Sequence, residues 1–185
     1  VVISGTTDQV TAALVTDETK VVASTALVTI TDAGTTDIDA TDLSAIGGKT
    51  GGTVTVSNAI NIQGDTDGVT AALVTDETKV VAASATVEIS DASSVAELNA
   101  LAPKAGVITG SIAASSLASL SGLSTSGTDL ITITVNDNAG DPLSATALST
   151  LGGKTGATVT VSNAVVISGT TDEVTAALVT DETKA

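Results

Sequence analysis

Two segments carry a lysine and a threonine between glycines: Gly47–Gly52 reads GGKTGG and Gly152–Ala157 reads GGKTGA. A phosphate loop uses this chemistry, with bare backbone amides wrapping the phosphates and a lysine neutralising them. Its signature also requires a glycine five positions before the one preceding the lysine, and Leu43 and Leu148 stand there instead. An alternating β-branched segment follows each cradle, whereas a phosphate loop opens a helix whose N-terminal amides hold the anion. The Gly-Gly pairs are therefore read as helix C-caps in which glycine takes positive φ.

Other reactive material is sparse. Serine and threonine are plentiful, but the chain has no His, Cys, Tyr or Arg to act as base or oxyanion donor. Paired carboxylates could cleave glycosides, yet the aromatic platforms that usually hold a sugar are absent, because aromatic content is 0%. Asp17 and Glu18 recur as Asp76 and Glu77 and as Asp181 and Glu182, where they read as a solvated helix end. No enzymatic activity is expected, and no catalytic, cofactor-binding or metal-ligating residue is assigned. Calcium is the alternative ligand: Asp65–Gly68 (DTDG) and Asn136–Asp141 (NDNAGD) gather hard oxygen donors around turn residues. Asx turns between repeats would give the same pattern. The pairs Thr29/Thr31, Thr53/Thr55, Thr132/Thr134 and Thr158/Thr160 could form a ranked hydroxyl array, like the ice-binding face of antifreeze solenoids. That ladder is expected to break at Glu88 and at Gly110.

Something must position these groups, and composition narrows what it is. The 185 residues contain no aromatic, Met or Cys, so Val, Ile, Leu and Ala must supply the core. Aromatics normally contribute large pieces of buried surface. Small branched side chains suit a regular stack, in which each layer is closed by its neighbours. Mean hydropathy is +0.44, but no apolar run approaches the ~18 residues of a spanning helix, so no membrane span is expected. A net charge of −15 repels nucleic acid and anionic lipid. The absence of Met at the start, and ends that fall inside a repeat, are read as marks of a piece of a longer chain.

Repetition dominates the sequence. The block TDxVTAALVTDETK occurs at Thr7–Lys20, Thr66–Lys79 and Thr171–Lys184, changing only at Gln9, Gly68 and Glu173. An offset of 105 residues aligns Leu43–Val80 with Leu148–Ala185 at 29 of 38 positions. Beneath this super-repeat, VTITDA, TVTVSNA, TVEISDA, VITGSIA, ITITVNDNA and a second TVTVSNA close on Ala33, Ala59, Ala92, Ala113, Ala139 and Ala164, spaced by 21–33 residues. Alternation of this kind predicts half-buried strands, with Val28 and Ile30 inward and Thr29 and Thr31 outward.

Short helices are predicted between them. Val10, Ala13, Leu14 and Asp17 have helical spacing, with Asp8 as N-cap. In SVAELNAL, Ser94 and Glu97 have capping-box spacing. Asp141 and Pro142 fit an N-cap and N1 proline ahead of LSATALSTL. All three copies of the block should be helical, with Leu14, Leu73 and Leu178 buried and the changing position facing water directly after the cap. The expected fold is an α/β solenoid, a right-handed stack of about seven coils spanning 1–185 as a single repeat array. Each coil should have one short parallel strand and usually one short helix; an all-β parallel solenoid is the alternative.

ITDA or ISDA followed by SVAELNAL resembles the very large low-complexity repeat proteins of bacterial cell surfaces, notably in cyanobacteria, which share this richness in Ala, Thr, Val, Ser, Gly and Asp. The resemblance implies an extracellular or cell-surface structural or adhesive role. Its implied partners are further copies or a continuation of the same chain in a fibre or layer, and cell-surface polysaccharide. It carries no catalytic residue across.

Overall fold

The computed structural model describes residues 1–16, 21–75 and 77–180. The fold is mixed α/β with parallel sheets, and contacts divide it into two compact units. One comprises residues 1–91 and 100–108, the other 92–99 and 109–185.

The first unit begins with β1 (Val2–Gly5), α1 (Thr7–Leu14), β2 (Leu27–Ile30), β3 (Asp37–Asp39) and α2 (Ala40–Gly47). It continues with β4 (Val54–Val56), β5 (Asn61–Gly64), α3 (Thr66–Leu73), β6 (Val80–Val81) and most of β7 (Thr86–Ser93). One sheet runs in the order β1-β2-β4-β6, with Val28 opposite Val54 and Val54 opposite Val80. A second ladder aligns Ile38, Ile62 and Val87 on β3, β5 and β7. These inward residues are all buried, as are Ile30, Leu43, Ile46 and Val69. Each such side chain stabilises the fold by roughly 1.5–3 kcal/mol, and α2 packs between α1 and α3.

The chain then forms α4 (Val95–Leu101) and β8 (Val107–Ile112), which contribute residues to both units. The second unit adds α5 (Leu117–Leu120), β9 (Leu130–Val135), β10 (Pro142–Ser144), α6 (Ala145–Gly152), β11 (Val159–Val161), β12 (Val166–Ser168) and α7 (Thr171–Leu178). Here β8 pairs with β9 and β9 with β11, while β10 pairs with β12. The offset of 105 carries β3 onto β10, α2 onto α6, β4 onto β11 and α3 onto α7, so the duplication begins ahead of the recognisable identity at Leu43.

All six strands anchored on alanine form, and Val28 and Ile30 point inward as expected. The helices exclude the all-β alternative. The structure also departs from a single strand per helix: β1, β3, β5, β10 and β12 each lead directly into one. Pro142 opens β10 rather than α6, whose N-cap is Ser144; proline is tolerated as a first strand residue because that position need not donate. The N-cap of α1 is Thr6, not Asp8, which occupies the second helical position. Gly48 and Gly153 do cap α2 and α6, but with φ of −66° and −67°. Glycine is needed at Gly47 for room, since a Cβ there would collide with the Thr78 backbone.

All three blocks open with a helix, Thr7–Leu14, Thr66–Leu73 and Thr171–Leu178, and Leu14 and Leu73 are buried, but Leu178 is 46% exposed. Leu73 belongs to a helix in contact with β6; among the described residues no strand follows α7.

Candidate functional site

One recurring polar constellation is a joint between a carboxylate and the start of a helix. Asp32 lies two residues beyond Ile30, the last inward residue of β2. Its Oδ2 accepts the Thr7 amide at 2.7 Å and the Thr7 hydroxyl at 2.8 Å. Asp91, two residues beyond Ile89, accepts the same pair of groups from Thr66, both at 2.7 Å. Asp137, two beyond Val135, accepts the Leu117 amide at 2.7 Å. A helix start leaves unpaired N–H groups that attract negative charge. Here that charge comes from 20 to 25 residues away. Asparagine takes the same place after β4 and β11, and Asn58 and Asn163 donate to the carbonyls of Asp32 and Asp137 at 2.6 and 2.8 Å. The Thr66 hydroxyl and amide hold the Asp91 carboxyl below its ordinary value.

Within each helix the cap and the changing position of the block act together. Thr6 and Gln9 form a capping box, as do Thr170 and Glu173. Asp65 is followed by Gly68, whose amide it accepts directly at 2.7 Å. The position expected to face water is thus N3, tied to the cap in all three copies. The Thr170 amide, then the Thr146 and Thr170 hydroxyls, lower the Glu173 pKa. The Thr41 hydroxyl, followed by its amide, does the same for Asp39. The expected box at Ser94 and Glu97 forms, with bonds of 2.7 and 3.3 Å.

The lysine–threonine cradles close helices and stitch neighbouring chain. Thr50 is buried and donates to the Ala26 carbonyl, while the Gly51 amide donates to Ser24 at 2.7 Å. Thr155 donates to the Ile131 carbonyl at 2.7 Å and accepts its amide at 2.9 Å. Gly156 donates to Asp129 at 2.6 Å. The amides a phosphate would require already have protein acceptors. Sequence reasoning missed these buried threonines, and also Thr78, whose hydroxyl reaches the Ala72 carbonyl at the end of α3. The only signal was their fixed place after Gly-Gly-Lys or Asp-Glu.

Three of the carboxylates proposed for calcium are similarly engaged, and Asp67 is exposed. Asp65 caps α3, Asp137 holds Leu117, and Asp141 accepts from the Asn138 amide at 3.0 Å. Among the described residues no three acidic groups converge. Asp17, Glu18, Asp76, Asp181 and Glu182 lie outside the described residues, and Glu77 is exposed.

The threonine rows are short. Thr29 pairs with Thr55, flanked by Ser4 and Val81; in the second unit Thr134 pairs with Thr160 and Ser111 with Thr132. The first row ends at Val81. Glu88 stands in a different ladder beside Gln63, and Gly110 lies opposite the inward Ile131.

Two hollows remain. One of about 440 Å³ is bordered by Lys79 and Lys104, and one of about 230 Å³ lies between Leu120, Leu151 and Lys154. No protein-family model, curated protein or solved structure matches the chain.

Proposed function

We propose that the chain is a structural repeat module without catalysis of its own: a right-handed α/β solenoid serving in an extracellular filament, surface layer or adhesin stalk. The joint from Asp32 to Thr7, repeated from Asp91 to Thr66, carries the reading. Carboxylates that could have done chemistry instead lock the starts of α1, α3 and α5 to the end of a later strand. Partners one step along the chain are also how a solenoid is built, with each coil touching only its neighbours. Parallel registers offset by 21 to 26 residues, such as Thr109 with Leu130 and Val28 with Val54, support the same organisation. Right-handedness follows the general rule for parallel strands joined by a crossover. The resemblance to surface repeat proteins supports the location, with further copies or continuing chain as partners and surface polysaccharide as the contact.

Chain extension tests this. Lys79 and Lys184 are equivalent under the offset of 105, so a second Val80–Lys184 appended after Lys184 recreates a native junction. In a solenoid, melting temperature holds or rises with each appended unit, and the radius of gyration of dilute monomer tends to linear growth. Growth near the ~0.38 power of length that compact globules follow, or loss of folding, rejects the reading.

A further inference from the structure

The helix ahead of β9 is shorter than its counterparts. The joint that ties a helix start to a later aspartate spans 25 residues from Thr7 to Asp32 and from Thr66 to Asp91, but 20 from Leu117 to Asp137. The loss falls largely on the helix: α1 and α3 run for 8 residues each, α5 for 4. The neighbouring α6 keeps the full 8 residues of its counterpart α2. Part of the face that α6 turns to α5 therefore extends beyond the shorter helix.

The hollow of about 230 Å³ opens at that place. Leu120 and Ser121, the last residue and the C-cap of α5, form one wall. Ala147, Thr150, Leu151 and Lys154, spaced as one face of α6 and its exit turn, form the other. Ser121 and Thr150 already donate their hydroxyl protons, to the Ala118 carbonyl at 2.7 Å and the Thr146 carbonyl at 2.8 Å. The Lys154 ammonium is then the side-chain donor left in an otherwise largely apolar lining. Among the described residues no acid lines the hollow, and no carboxylate pairs with that ammonium. Lys49, its equivalent under the offset of 105, is exposed, whereas Lys154 is half-buried.

We propose that this hollow binds a short aliphatic carboxylate, with its chain against Leu120, Ala147 and Leu151 and its charged end on the Lys154 ammonium. An apolar lining with one cation complements an apolar body with one negative end. Pairing also offsets the cost of half-burying the lysine charge. At roughly 30 Å³ per water-sized group, 230 Å³ accommodates about eight heavy atoms, the size of hexanoate. The site adds a ligand to the structural module and stands whether or not the chain extends as a solenoid.

Hexanoate, hexanol and hexylammonium, titrated separately into the full chain and followed by backbone amide NMR shifts, test the site. Hexanoate should give saturable shifts concentrated around α5 and α6, with a dissociation constant on the order of 1 mM, as ligand efficiency allows for so few atoms. Hexanol should bind there about ten-fold more weakly, for want of one charge-assisted hydrogen bond, and hexylammonium should not bind there. Shifts that do not saturate or that scatter over the chain, or equal affinity for hexanol, overturn the proposal. Lys154→Met keeps an apolar stem and should weaken hexanoate about ten-fold while leaving hexanol unchanged. Lys49→Met should leave both unchanged, and an equal loss there places the carboxylate elsewhere and overturns the proposal. Ala147→Leu fills the hollow and should abolish binding of both without lowering the melting temperature. Lys154→Glu should invert the preference, toward hexylammonium. Continued preference for hexanoate in Lys154→Glu, or undiminished affinity in Ala147→Leu, also overturns it.

Discussion

At the scale of single residues, the backbone of Thr35 and the carboxyl of Asp91 depart from their ordinary state for identifiable reasons. Thr35 has φ of +67° and its amide donates to the Ala59 carbonyl at 2.8 Å. Its equivalent, Gly140, has φ of +87° and donates to Ala164 at the same distance. The left-handed region costs an L-residue roughly 1–2 kcal/mol, and a β-branched one is especially disfavoured. Glycine's greater freedom in the unfolded chain offsets part of this. Thr35→Gly should therefore stabilise the protein by about 0.5–1 kcal/mol and Gly140→Thr should destabilise it, both read from urea midpoints. Asp91 is the second case. Its folded pKa lies below the ordinary 3.8 because the Thr66 hydroxyl and amide bind the charged form. A depressed carboxyl binds fewer protons folded than unfolded, so its contribution is whole above pH ~4 and is lost as the pH falls through the folded value. Melting temperature measured from pH 6 to 2 should fall at the acid end, and Asp91→Asn should flatten that limb. An identical slope in the variant would remove Asp91 as its source.

At the scale of elements, burial decides what a repeated residue is worth. Leu73 and Leu178 occupy the same place in α3 and α7 but are 4% and 46% exposed. Leu73→Ala should cost about 2–5 kcal/mol through lost burial and a cavity. Leu178→Ala in dilute solution should stay within about 0.5 kcal/mol of the parent. Denaturant unfolding of the two variants compares them directly. The same distinction explains what was legible in the sequence. VTITDA and ITITVNDNA announce strands because two or more β-branched residues alternate with polar ones. In β3 (DID) and β10 (PLS), a single inward residue, Ile38 or Leu143, does the work, and one residue has no period. These strands are specified by the ladder they join, and α5, with four residues, by its seat. The Asp32 and Asp91 joints were hidden for a related reason. Threonine and aspartate 25 residues apart carry no local signature until strand register brings them together.

At the scale of the whole molecule, the excess of acid is a field as well as a set of partners. A net charge of −15 with six lysines makes the folded chain repel itself. Added electrolyte should screen that repulsion, because the Debye length shortens from about 30 Å at 0.01 M to about 8 Å at 0.15 M. The melting temperature should therefore rise with sodium chloride over this range. Calcium presents a sharper comparison. A built site would add RT ln(1 + [L]/Kd), about 2.7 kcal/mol at a hundred-fold excess over Kd. It would also discriminate by size, since magnesium demands a tighter octahedral cage than calcium's six to eight oxygens. Asp65, Asp137 and Asp141 instead accept amide protons, and their alignment with those amides leaves no described trio of acids to enclose an ion. Divalent cations should then act through charge density alone. Calcium and magnesium at matched ionic strength should raise the melting temperature equally, and chelator should return it to the sodium value. A calcium increment exceeding that of magnesium by several degrees would require a cage that these carboxylates do not form, and would replace the proposed structural module with a cation-stiffened one.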